Sequence, residues 1–208
     1  MLAPWKSTRA GGADAVRCIV ATVAGVELEF ETSPGVFSPR AVDRGTLAML
    51  SQVVLAPSDR VLDLGCGYGV VGVWAAKQIG EDRVVMLDSD TEAVRLARAN
   101  AARNGVPGVT IVQSTGFRDT RETGFDWILC NPPYHDDFSV PKEWIHKGFN
   151  RLERGGRMVF VTKRRTWYEN KLVAIFGGTR VDEVDGYFVL TSEKRRSDYA
   201  NARPAVRR

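Results

Sequence analysis

The run Val61-Leu62-Asp63-Leu64-Gly65-Cys66-Gly67-Tyr68-Gly69-Val70-Val71-Gly72 admits few folds. A short buried strand passes directly into a glycine-rich turn, and an apolar stretch with helical spacing resumes at Val70. A strand feeding straight into a helix belongs to parallel sheets, in which each helix packs back on the sheet it leaves. The rest of the chain repeats the pattern. Strands are expected at 60–64, 83–88, 108–113, 125–130 and 156–162, and helices at 40–54, 70–79, 90–104, 141–153 and 166–176. Asp90 is a good start signal for the third of these helices and Asn104-Gly105 a good stop. A closing pair of strands, 179–184 and 187–192, turns through Asp185-Gly186, and residues 17–23 and 26–32 alternate around Ala24-Gly25 as a hairpin. The fold class that results is α/β: a doubly wound, mostly parallel seven-stranded sheet preceded by an N-terminal β-hairpin.

At 208 residues and 44% hydrophobic, the chain can bury one substantial core and has little room for a second. Residues 1–15, dominated by Pro, Gly, Ser, Thr and Ala, read as a disordered terminus, 16–194 as the folded domain and 195–208 as a basic tail. Nothing resembles a signal peptide or membrane span, since the apolar runs are strand-length and broken by charges. Cys18, Cys66 and Cys130 are odd in number, scattered and without metal-ligand spacing, which points to a reducing cytoplasm.

Gly67, Gly69 and Gly72 satisfy the G-x-G-x-x-G spacing, which serves nicotinamide dinucleotides as well as other adenosyl cofactors. Asp63 separates them. A carboxylate at a strand's end, two residues before the first glycine, repels a pyrophosphate but suits a cationic α-amino group. Asp88 closes the next strand, about 20 residues beyond the glycines, where ribose hydroxyls are gripped in this architecture. An ammonium and a ribose together describe S-adenosylmethionine better than NAD. A second motif, Asn131-Pro132-Pro133-Tyr134, follows the apolar run 127–130. Two prolines fix φ at successive positions and push Asn131 into an extended conformation. The Asn131 amide oxygen and the Pro132 carbonyl can accept both hydrogens of a planar –NH2 group, and Tyr134 offers its ring as a stacking surface. A Pro-rich turn that merely caps a strand is the plain alternative.

Three segments carry a family resemblance: Gly35-Val36-Phe37-Ser38 with Asp43-Arg44-Gly45-Thr46, then DLGCGYG at 63–69, then CNPPYH at 130–135. The chain resembles class I S-adenosylmethionine-dependent methyltransferases of the small-domain group, which includes the ribosomal RNA guanine-N2 methyltransferases, over Val26 to Lys194. The resemblance implies a Rossmann-like methyltransferase fold with one antiparallel strand from the terminal hairpin. It implies methyl transfer to an exocyclic nucleobase amine, most specifically guanine N2 of ribosomal RNA, with no metal. Phe37, Asp63, Gly65, Gly67, Gly69, Asp88, Thr115 and Asn131 would then hold the cofactor. Asn131, Pro132, Pro133 and Tyr134 would do the catalysis, with Tyr134 and His135 toward the substrate. The family usually places Asp where Thr115 stands, against the adenine edge; a hydroxyl accepts more weakly, so looser adenine contacts are expected.

The net charge of +4 is modest, but Lys163-Arg164-Arg165 follows an expected strand end, where a phosphate backbone would be met beside the amine holder. Lys194-Arg195-Arg196 opens a tail that adds Arg203, Arg207 and Arg208, six basic residues against Asp198 alone. Ribosomal RNA or a ribosomal subunit is the partner these features suggest; the oligomeric state, monomer or dimer, is open. Trp167 and Tyr168 could form a stacking lip for RNA. Trp144 and Phe149 read as core, and Asp136 and Asp137 as an exposed acidic turn. Other functions compete. An NAD-dependent oxidoreductase needs a hydride-handling residue and leaves 131–134 without a role. A non-catalytic RNA-binding module does not require Asp63, Asp88 and Asn131. A small-molecule amine or a protein glutamine remains an alternative acceptor, favoured by the short segment ahead of the catalytic motifs.

Overall fold

The computed structural model describes residues 17–132 and 138–200. Two strands, β1 (Arg17–Val23) and β2 (Val26–Thr32), form an antiparallel hairpin of their own. The main sheet follows: β3 (Val61–Leu64), β4 (Val84–Asp88), β5 (Thr110–Gln113), β6 (Phe125–Cys130), β7 (Leu152–Thr162), β8 (Arg180–Val184) and β9 (Tyr187–Glu193), in the spatial order β5-β4-β3-β6-β7-β9-β8. β9 runs antiparallel to both β7 and β8, and the other neighbours pair in parallel. The helices are α1 (Arg44–Leu50), α2 (Val70–Ile79), α3 (Thr91–Arg103), α4 (Ser139–Arg151) and α5 (Arg165–Phe176).

The sheet is the expected doubly wound, seven-stranded one. Side chains alternate across it, so each face needs its own cover. One core gathers the inward residues of α1, α2, α3 and the hairpin around Trp74, Met86 and Leu129. The other packs α4 and α5 over Ile128, Met158 and Phe160. After β5 the chain returns to the far side of β3 to lay down β6, which makes the carboxyl ends of β3 and β6 the switch point where such sheets bind ligands. Asp63-Leu64 and Leu129-Cys130 are paired neighbours there. Among the described residues no helix is long and apolar enough to cross a membrane.

Two elements differ from the sequence expectation. The first helix spans 44–50 rather than 40–54. Asp43 is extended (φ −61°, ψ 135°) and its carboxylate accepts the Thr46 N–H, a side-chain cap that fixes the start. Past Leu50 the backbone bonds tighten to i−3, Gln52 N to Met49 O and Val53 N to Leu50 O, and the helix ends. β7 begins at Leu152 instead of 156. Leu152 pairs with Phe125, and the register then shifts before Trp127 meets Arg157, so Gly155-Gly156 lie inside the strand as an irregularity.

The hairpin docks on α3 by an unusual ladder. Asn100 donates to the Glu31 carbonyl (2.9 Å) and accepts the Glu31 N–H (2.6 Å); Asn104 does the same for Glu29 (2.7 and 3.1 Å). Two carboxamides one helical turn apart thus match two residues of β2 spaced by the strand period. They satisfy the edge of β2 as a neighbouring strand would. The second Asn100 amide hydrogen goes to the Tyr68 carbonyl (2.8 Å), tying the hairpin to the glycine-rich turn. Arg95 and Arg103 add ion pairs to Glu31 and Glu29 at 3.5–3.8 Å.

Candidate active site

A cleft of about 360 Å³ opens at the switch point, walled by the turn after β3, the ends of β4, β5 and β6, and the start of α4. Of the residues expected to hold a cofactor, Phe37, Asp63, Gly65, Gly67, Asp88, Thr115 and Asn131 line it. Gly69 does not. It sits at the start of α2 with φ 97°, where a side chain would meet the backbone of Ala97 on α3, so it serves helix packing.

Asp63 is 3% exposed, and one of its oxygens accepts the Gly72 N–H at 2.9 Å. Burial, aided by the neighbouring charge of Asp88, pushes its pKa up to about 7, although the Gly72 bond pulls the other way. A buried carboxylate in that condition is a place for a cation. Asp88 accepts the Gly67 N–H (2.7 Å) and the Asp90 N–H (3.0 Å), one on each oxygen, so each oxygen keeps a lone pair for a hydroxyl. No atom lies within 4 Å of the position a Gly67 side chain would take, which leaves open space against the backbone there. Cys66 and Cys130 lie at the same strand ends; burial pushes both thiols well up, so neither is a nucleophile. Among the described residues no group of three His, Cys, Asp or Glu side chains could hold a metal ion.

The Asn131 carboxamide is oriented by partners that sequence reading did not assign. Its Nδ2 donates to Asp43 Oδ2 and to Thr46 Oγ1, both at 2.9 Å. A carboxylate only accepts, so the –NH2 end must face Asp43 and the oxygen must face the other way. That Oδ1 is buried and accepts no hydrogen bond. An unpaired buried acceptor costs about 1–3 kcal/mol until a donor meets it. The cap of α1 and the holder of Asn131 are therefore the same carboxylate oxygen. The signal in the sequence was the D-x-G-T segment, noticed for its resemblance but given no chemical task.

Trp144 is the other missed wall. It is 8% exposed and packs in the core, as expected, yet it also lines the cleft. Its indole crosses Gly65 and Gly116, both at positive φ (78° and 59°); a Cβ at either would lie 3.0 or 2.8 Å from the ring. Glycine is required at both positions, for the backbone conformation and for the close approach. Thr115 lies between these features with its hydroxyl on the cleft side, next to Ser114, whose own hydroxyl is spent on Gly116 O and Asp119 N.

Pro132 is described and buried; Pro133, Tyr134, His135, Asp136 and Asp137 lie outside the described residues. Lys163, Arg164 and Arg165 follow β7 on the same sheet edge as the cleft but do not line it. Lys163 sits over the Tyr187 ring (4.9 Å), Arg164 over Phe138 (5.4 Å), and Arg165 pairs with Glu169 (2.8 Å). Trp167 stacks on Phe138 with ring centroids 4.3 Å apart, whereas Tyr168 is 4% exposed and belongs to the core, so it forms no lip. Lys194 to Arg196 lie at the opposite edge. Lys194 bonds Gly155 and Gly156 through its backbone and Leu152 O through Nζ, where burial lowers its pKa. Ala200 N bonds Ile175 O, so the segment folds back on α5; Arg203, Arg207 and Arg208 lie outside the described residues.

The model of the methyltransferase small domain matches residues 27–192. Ribosomal RNA small subunit methyltransferase C of Pseudomonas putida strain GB-1 is 33% identical over 165 residues, covering 77% of this chain and 49% of that protein. Its counterpart in Citrobacter koseri is 33% identical, with 78% and 48% covered. Among solved structures, the T. thermophilus 16S rRNA N2 G1207 methyltransferase in complex with AdoMet and guanosine superposes with a TM-score of 0.77 at 31% identity, covering 86% of this chain and 51% of that one. The chain thus spans about half the length of the curated relatives it matches.

Proposed function

The chain belongs to the methyltransferase small-domain family, and on that premise we propose that it transfers a methyl group from S-adenosylmethionine to guanine N2 in ribosomal RNA. One observation carries the reading: the buried Asn131 Oδ1, unpaired at the mouth of β6 while both amide hydrogens are spent on Asp43 and Thr46. An amide held so that only its oxygen is free is a receptor for a donor, and an exocyclic amine is a donor with two hydrogens. The relatives named for ribosomal RNA methylation, and the neighbour solved with AdoMet and guanosine, support guanine as the ring that bears it.

The residues present fit the donor. Asp63 takes the ammonium, Asp88 the ribose, and the open space at Gly67 lets the ligand approach the backbone. S-adenosylmethionine supplies an electrophilic methyl already activated on a sulfonium. The task left to the protein is alignment and desolvation. An aryl amine is a poor nucleophile because its lone pair is delocalised into the ring. Bonds from its hydrogens to Asn131 Oδ1 and the Pro132 carbonyl favour the pyramidal geometry that frees that pair, and they strengthen as positive charge builds on nitrogen. Lys163 and Arg165, exposed on the same edge, are placed to meet phosphates beside the cleft.

Incubation with methyl-labelled S-adenosylmethionine and, separately, 16S rRNA, 30S subunits, tRNA and protein extract tests the proposal. Label recovered as N2-methylguanosine from ribosomal RNA is the expected result. Label found only in protein or in a small amine refutes it.

A further inference from the structure

The fold leaves a second concavity, on the edge of the sheet opposite the cleft. α1 packs on β7 and β9 but has only seven residues, and it reaches the cleft-side half, where Gly45 abuts Tyr187 at the start of β9. Below it the sheet face is uncovered. A groove of about 720 Å³ forms there between the 52–54 loop and the turn after α5, with Trp127 among its walls. Arg157, Arg180, Arg195 and Arg196 line it against a single carboxylate, Glu193.

The charges are unevenly paired. Arg180 is held by Asp182 (2.7 Å), and Arg195 is only loosely met by Glu193 (3.6 Å). Arg157 and Arg196 have no carboxylate within ion-pair distance among the described residues. Arg157 lies over the Trp127 ring at 5.0 Å. A guanidinium stacked by its face keeps its five N–H donors at the edge, pre-set for a phosphate, and loses little entropy in binding one. The groove offers several such donors along an open channel, which suits a repeated anion better than a single one.

We propose that this groove binds the phosphodiester backbone of the RNA substrate and anchors it at a distance from the methyl-transfer cleft. The proposal rests on the reading of RNA as the acceptor. Phosphate contacts position a nucleic acid without reading its sequence, so the groove contributes affinity and orientation while the cleft chooses the base.

The test uses the full chain and its Arg157→Gln/Arg196→Gln variant; both residues are exposed and outside the cleft. Binding of fluorescently labelled 16S rRNA is measured across a salt series, alongside S-adenosylmethionine affinity and methyl transfer to free guanosine. Two lost phosphate contacts at roughly 0.7 each lower the slope of log K against log salt by about 1.4, or about 25-fold in affinity at 0.1 M salt. Cofactor affinity and guanosine methylation stay at the wild-type level. Unchanged RNA binding overturns the proposal, and so does weaker binding at an unchanged slope. Competition by polyglutamate as effective as that by RNA overturns it in favour of an acidic protein partner. Wild-type protein that binds RNA but methylates none refutes the function proposed above and leaves the groove to be judged by the binding series alone.

Discussion

Replacing Asp63 by Asn should stabilise the ligand-free protein at neutral pH. The amide oxygen can still accept the Gly72 N–H, so the variant removes the charge and little else. In the unfolded chain Asp63 titrates at its ordinary 3.8, and in the fold near 7. Below the first value both states carry the proton and the carboxyl costs nothing. Between the two, folding must take up a proton, so wild-type stability falls by about 1.4 kcal/mol per pH unit. Above the second, the charge is buried and the penalty reaches about 4 kcal/mol, three units at 1.36 kcal/mol each. Urea denaturation of both proteins from pH 5 to 9 measures the difference directly, because the other titrating groups are shared. The advantage of the variant should grow up to about pH 7 and level off above it. Saturating S-adenosylmethionine should shrink or reverse it, since the ammonium compensates the wild-type carboxylate and finds no charge in the variant. A stability difference that does not change with pH refutes the reasoning.

Asn131→Ala should lower turnover a few hundredfold, about 3–4 kcal/mol, with S-adenosylmethionine affinity nearly unchanged in calorimetry. Asp88→Ala should weaken that affinity by about 1–3 kcal/mol, the cost of ribose hydroxyls left without an acceptor. Reversing the charge of Lys163, Arg164 and Arg165 together should weaken RNA binding across sequences and flatten its salt dependence by roughly one unit of slope per contact, leaving cofactor titrations unaltered. Asn100→Ala should cost about 3 kcal/mol in thermal or urea unfolding, because one buried side chain satisfies Glu31 N–H, Glu31 O and Tyr68 O.

Local rules carried most of the architecture. The hairpin bounds and α2 matched the sequence reading because alternation around Ala24-Gly25 and the Gly69-Val70 junction are short-range signals. The long first helix failed because an apolar period continues through residues that a side-chain cap excludes, and Asp43 as cap competes with Asp43 as surface residue only in three dimensions. The same holds in the cleft. Asp63 and Asp88 were legible from their place at strand ends. Asp43 and Thr46 reach Asn131 across 88 and 85 positions of chain, and no spacing rule links them. Trp144 read as a core residue on a helical stripe, which is true, but its second task depends on two glycines in other segments. The arginine groove was hidden for a different reason: its members lie on three strands and a tail, and only the shortness of α1 exposes them.

The carboxamides of Asn100 and Asn104 decide how the hairpin lives and dies. An isolated two-stranded hairpin is at best marginal in water, so β1 and β2 persist by borrowing the rigidity of α3. Backbone amides of Glu29 and Glu31, although in an edge strand with exposed side chains, are sealed by a helix that belongs to the main core. Their hydrogen exchange should therefore be slow and should follow the opening of α3, whereas β1, with no such partner beyond β2, exchanges from the hairpin's own fraying. Because Asn100 shares its second hydrogen with Tyr68, release of the hairpin loosens the turn that follows β3, and any chain cut short before Val26 would carry that loss into the cofactor cleft.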